Sequence, residues 1–153
     1  MARLADLPPS LAKNMAALPL PTFETTASAD GPPLAERRVA LITTAGLTLR
    51  GDAGFTTGAA DYRVLPGDVV AADLAMSHIS VNFDKTGFQQ DVNVVLPLDR
   101  LKEMAAAGEI GSVAAYHYSF MGATDPREMR PAAMDMARHL KADNVTAVLL
   151  APV

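Results

Sequence analysis

The sequence predicts an α/β domain built on an open, mostly parallel sheet with flanking helices. Three observations predict it. Two largely aliphatic runs, residues 39–42 and 145–150, have the apolar character of parallel strands covered on both faces. Residues 91–122 read as strand, turn, helix, turn and second strand within about thirty residues, the length of one βαβ unit. A chain of 153 residues, half of them hydrophobic, is also long enough for one domain with a core.

Residues 1–36 are rich in Pro, Ala and Ser and read as an N-terminal arm or linker, with the α/β domain over 37–153. A short helix is expected over 10–17, begun by Ser10 after Pro8 and Pro9. Phe23 and the leucines of this stretch want cover, which favours an ordered but irregular surface segment over a disordered one. The first buried strand, 39–42, leads into Thr43, Thr44, Ala45 and Gly46. These small residues let a ligand or another backbone approach closely, although a plain strand end and turn is the simpler reading. Residues 50–58, with Gly51, Asp52, Gly54 and Gly58, form a loop. A short strand around Tyr62, Val64 and Leu65 follows.

From about Asp73, Leu74, Met76 and His78 alternate with Ala75, Ser77 and Ile79, the period of a strand. Its end brings His78, Asn82 and Asp84 within seven residues. One reading is a hydrogen-bonded structural histidine. The other is an acid/base pair in which Asp84 fixes the tautomer of His78.

In the central unit, residues 92–96 predict a strand closed by Pro97. Leu98, Leu101, Lys102 and Ala105 recur at helical spacing until Gly108. Residues 112–116 predict the second strand, with His117, Tyr118 and Ser119 at its carboxyl end, where ligands sit in open α/β sheets. Thr124 or Asp125 then caps a turn containing Pro126 and Glu128, and Pro131 separates it from the main helix. That helix presents Ala132, Ala133, Met136, Ala137 and Leu140 on one face and runs to about residue 142. Arg138, His139 and Lys141 complement the dipole in its last turn, so His139 is expected to face solvent. Residues 145–153 predict another buried strand, which needs cover from elsewhere in the chain, from a second subunit or from a continuation of the chain.

Composition narrows the function classes. A formal charge of −4 provides no basic stripe for nucleic acid, and no apolar run approaches the ~18 residues that span a bilayer. Acidic residues and prolines break the N-terminal stretch as a signal peptide, so the chain reads as cytoplasmic. Without cysteine, these residues supply no disulfide, thiolate metal site or thiol nucleophile. No phosphate-binding glycine loop occurs. The spacing of the three histidines with Asp84 and Asp91 assigns no metal site. A hydrolase or isomerase using His78 with Asp84 ranks lowest, because no nucleophile elbow accompanies them.

Four ordered motifs carry a resemblance: residues 91–101 (DVNVVLPLDRL), 111–114 (GSVA), 117–122 (HYSFMG) and 148–153 (VLLAPV). Together they resemble the glycine/betaine/sarcosine/D-proline reductase family, selenoprotein B type, and residues 43–46 and the Ser77–His78 loop are similar to its early segments. The resemblance covers about residues 39–153 and implies a Rossmann-like three-layer fold, incomplete at its C-terminal end. It also implies reductive cleavage of a C–N bond in a small amine or amino acid, with other reductase subunits or thiol redox proteins as partners. In the family, the Leu-Leu-Ala-Pro-Val strand is followed at once by a redox motif beginning with selenocysteine or cysteine. Selenocysteine is therefore expected just after Val153 in a full-length form, the chain being either truncated at a UGA codon or a short paralogue. By itself it is expected to be inactive. On this reading His78 and His117 are the candidates for proton transfer. Asp84, Asn93, Tyr118 and Ser119 orient substrate, and Thr43 and Thr44 donate hydrogen bonds from the first strand's end. The alternative is a noncatalytic assembly module that pairs with a full-length homologue through its last strand. That unpaired strand also predicts a homo-oligomer.

Overall fold

The computed structural model describes residues 4–19, 22, 24, 28–80 and 85–153. Asp84, Asn82 and Phe23 lie outside the described residues. Helix α1 (Pro9–Ala16) occupies the N-terminal stretch, with proline in its first turn, where the missing N–H costs no helical bond.

The sheet is centred on β1 (Arg38–Thr43), whose Val39, Ala40 and Leu41 are buried as a strand covered on both faces requires. After it come β2 (Leu47–Leu49), β3 (Arg63–Pro66) and β4 (Leu74–Met76), then α2 (Thr86–Gln90) and α3 (Leu98–Ala106). The chain continues through β5 (Ser112–Val113), β6 (Tyr116–Ser119), α4 (Arg130–Ala142) and β7 (Ala147–Ala151). Strands β5 and β6 pair parallel with one side of β1, and β7 pairs parallel with the other. Antiparallel β3 extends the sheet beyond β6, while β2 and β4 form a separate antiparallel pair. The fold is thus α/β and mostly parallel, as the aliphatic runs predict.

Side chains alternate across β1 and divide the core into two halves. Val39 and Leu41 join Leu47, Leu65, Leu96 and Leu101 on the α3 face. Ile42 packs on the opposite face with Tyr118, Phe120 and Met136 under α4. This makes three layers, helix, sheet and helix. The parallel crossover that the sequence ascribes to residues 91–122 is instead provided by β6, α4 and β7, which pass over β1.

Both main helices end as their sequences predict. Gly108, at φ 74°, takes the left-handed position after α3 while Gly108 N–H donates to Ala105 O and Glu109 N–H to Met104 O. Asn144, at φ 53°, does the same after α4, with Asn144 N–H donating to Lys141 O and Val145 N–H to Leu140 O.

Three expectations are corrected. Val92–Val94 is a 3₁₀ turn and not a strand, because the Asp91 carboxylate accepts the Asn93 N–H and caps it; Val95 and Leu96 are buried and Val92 partly so. An aliphatic run this short does not distinguish strand from helix by period alone. The last strand forms where expected but is not buried: Val148, Leu149 and Leu150 are exposed, Leu150 at 66 %. Pairing with β1 satisfies one edge of β7, and only Ala147 at its start packs against the core. Finally, His117, Tyr118 and Ser119 lie inside β6 and are buried, so they do not form an open tip.

The last correction has a cause in the register. Between the β5 and β6 pairings the partner offset to β1 lengthens by two residues, a bulge at Ala114 and Ala115. An ion pair brackets it. Arg38 donates to Asp143 Oδ1 at 2.6 Å and to Val113 O at 2.9 Å, while Asp143 Oδ2 accepts the Ala115 N–H at 2.7 Å. Burial pushes the Asp143 carboxyl up, but the Arg38 and Ala115 hydrogen bonds outweigh it and hold the group below the usual range. The bulge sets which residues of β6 point inward.

Candidate functional site

The carboxyl ends of β1, β6 and β7 converge on one edge of the sheet, and each is tied to the next by backbone bonds. Thr44 N–H donates to Ala151 O, Phe120 N–H to Thr43 O, and Gly122 N–H to Thr44 O at 2.9 Å. The Thr44 hydroxyl accepts the Val153 N–H at 2.8 Å and lies 3.3 Å from Val153 O. Gly122 is required here. A Cβ at that position would fall 2.7 Å from Val153 O and 2.9 Å from Thr44 O.

Gly46, at φ 66°, brings a fourth segment to the same edge. A Cβ on Gly46 would meet the His78 backbone at 3.0 Å, and Ser77 N–H donates to Gly46 O at 2.9 Å. The close approach anticipated for residues 43–46 is made by the backbone of His78. As a result, His78, Ser80, Gly122, Ala123 and Val153 line one hollow of about 330 Å³, with Met15 and Leu18 on its N-terminal side. An adjoining hollow of about 420 Å³ runs on past Thr124 and Asp125.

His78 is 4 % exposed. Burial first, and then the charge of Lys85, lower its pKa from the ordinary value, so the ring is neutral at pH 7. Its Nδ1 accepts the Ser80 N–H at 3.2 Å, which assigns the ring proton to Nε2. A neutral imidazole held in one tautomer at a hollow can hold or pass a proton.

The side chains of the remaining described candidates do not line this hollow. His117 is fully buried, its Nδ1 accepts the Leu41 N–H at 3.0 Å, and its Nε2 has no hydrogen-bond partner among the described residues. Burial, followed by the charge of Lys102, lowers its pKa to about 4. Ser119 accepts the Leu47 N–H at 2.7 Å, and Thr43 accepts the Ala45 N–H at 3.1 Å; both side chains are committed to backbone. Tyr118 meets Tyr62 edge-on at 5.4 Å under α4 and lines a different, largely apolar hollow with Tyr116 and His139. Asn93 bridges Asp91 and Asp99 at the start of α3. Of the proposed residues, His78 lines the hollow and Thr44 holds its wall. Sequence reasoning missed Ser80, Ala123, Met15 and Leu18, while Gly122 carried a usable signal as a glycine just past a strand end.

An α/β subunit with a ligand-sized hollow at the carboxyl edge of its parallel strands is the class this geometry defines. The chain belongs to the glycine/sarcosine/betaine reductase selenoprotein B family, whose model matches residues 12–153. It is 32 % identical over 120 residues to the D-proline reductase subunit gamma of Acetoanaerobium sticklandii, covering 76 % of this chain and 49 % of that protein. It is 28 % identical over 144 residues to the glycine reductase complex component B subunit gamma of Carboxydothermus hydrogenoformans, covering 87 % of this chain and 32 % of that one. The corresponding subunit of Symbiobacterium thermophilum is 29 % identical over 144 residues, covering 86 % and 32 %. The chain therefore spans between a third and a half of the length of these relatives. No solved structure matches it. Among the described residues no helix is long and apolar enough to cross a membrane.

Proposed function

We propose that this chain builds the substrate-holding wall of a selenocysteine- or cysteine-dependent reductase subunit, which reductively cleaves a C–N bond in a small amine or amino acid. The observation that carries the reading is that Val153, gripped by Thr44, lines the same hollow as His78. A chain continuing from Val153 emerges beside a neutral imidazole at the carboxyl edge of the sheet. In the full-length form the residue expected there supplies the selenolate or thiolate that attacks carbon.

This chain's own residues do the rest. The Gly122 and Val153 backbone shapes the hollow, and His78 manages the proton required by the departing amine. His117, whose ring replaces a backbone acceptor in the β1 ladder, has a structural role in this reading. The pairing of His78 with Asp84 stays a proposal, as does substrate orientation by Tyr118, Ser119 and Asn93. The subunit works with the other subunits of a reductase complex or with thiol redox proteins in the cytoplasm.

A second reading, assembly without catalysis, is favoured by one observation: the aliphatic side chains of β7 are open to solvent. In that case β7 pairs with a second copy or with a longer homologue. Two measurements decide. If the reading frame downstream of codon 153 encodes a UxxC or CxxC-like motif, and the full-length product turns over D-proline, glycine, sarcosine or betaine, the first reading holds. The second holds if no such motif follows and the chain sediments as a stable dimer.

A further inference from the structure

Two side chains of the N-terminal stretch close the hollow without serving the core. Helix α1 buries none of its residues. Met15, near its end, and Leu18, just beyond it, are 47 % and 57 % exposed, yet both line the hollow with His78 and Val153. Leu18 also lines the adjoining hollow beside Gly122. Single exposed apolar residues are ordinary on a surface. A methionine and a leucine on the wall of a hollow that also presents His78 and Ser80 give it the mixed apolar and polar lining of a small-molecule site. Both lie within the span that matches the family.

We propose that Met15 and Leu18 are specificity-determining residues, forming an apolar wall that receives the alkyl part of the substrate. The inference rests on the substrate-site reading above. N-methyl groups or ring methylenes would lie against the thioether and the isobutyl group, losing contact with water. An unsubstituted amine such as glycine brings no carbon to that wall. A hydrophobic pocket discriminates by about tenfold or more per methylene, so alkylated amines are preferred.

The test uses the full chain labelled with ¹³C at the methionine and leucine methyl groups and ¹⁵N at the amides, titrated separately with betaine, D-proline and glycine. Betaine and D-proline are expected to shift the Met15 and Leu18 methyl signals together with the His78 and Gly122 amides, binding about tenfold more tightly than glycine. Leu18→Ser, a change at an exposed position, is expected to reduce that preference to about twofold. Shifts at His78 and Gly122 without Met15 or Leu18, or a preference that survives Leu18→Ser, would overturn this inference and leave the substrate-site reading standing. If no ligand perturbs His78 or Gly122, both are overturned.

Discussion

The Thr44 hydroxyl accepts the Val153 N–H at 2.8 Å and sits 3.3 Å from the Val153 carbonyl, so one side chain at the end of β1 grips the chain leaving β7. Its own N–H meanwhile donates to Ala151 O at 3.2 Å. Ala151 and Val153 are thereby both tied to the end of β1.

Thr44→Val keeps the shape of the side chain and removes its hydrogen bonds. A neutral hydrogen bond contributes about 1 kcal/mol net. The Val153 amide should then exchange with solvent about fivefold faster, with little change in the exchange of β1 itself. Amide exchange by NMR reads this directly, and an unchanged Val153 rate would show that the grip does not hold the strand end.

Gly122→Ala should be costly, because its Cβ meets backbone atoms of Val153 and Thr44 that cannot swing aside. Overpacking of this kind costs about 1–3 kcal/mol. Gly87→Ala provides the contrast. It lies in α2 with its nearest neighbour, a Val94 methyl, at an ordinary 3.6 Å, so it should be neutral or slightly stabilising. Urea midpoints of the two variants measure the difference.

The pH dependence of stability follows from His117. Its folded pKa of about 4 lies below the unfolded value near 6.5, so the unfolded state binds more protons between those limits. Stability is therefore fully present above pH 6.5 and declines as pH falls towards 4, by up to about 3 kcal/mol from this group. His78, also lowered, adds to the slope in the same direction. Denaturation midpoints across pH 4–7 give the total, and NMR titration of the His117 ring protons isolates its share. A ring that titrates near 6.5 would contradict its buried placement.

Much of the fold is legible in the sequence because local chemistry agrees with tertiary demand. Residues 39–42 are aliphatic because β1 is covered on both sides, and Gly108 stands where left-handed backbone ends a helix. Residues 92–94 mislead because an aliphatic run fits either period, and a single carboxylate, Asp91, settles the matter by capping a turn. The exposure of β7 is illegible for a different reason: composition reports what a strand can bury, not which neighbours are there to cover it.

The site was half legible. Gly46 and His78 both stand out in the sequence, but their close approach, with room for no Cβ on Gly46, joins segments thirty residues apart. His117 was read as a strand tip because a two-residue bulge, held by Arg38 and Asp143, shifts the register of β6. A bulge stabilised by a partner more than a hundred residues from Arg38 leaves no periodic signature. Met15 and Leu18 were passed over for the same reason, since only the folded chain brings them to the hollow.

Proton handling by His78 at this sheet edge is tested by turnover of a full-length form carrying His78→Gln. Glutamine retains polarity but cannot exchange a proton near neutral pH. Turnover should fall about a hundredfold or more, with the melting temperature close to that of the parent. Parent-like turnover with a parent-like pH profile would contradict it.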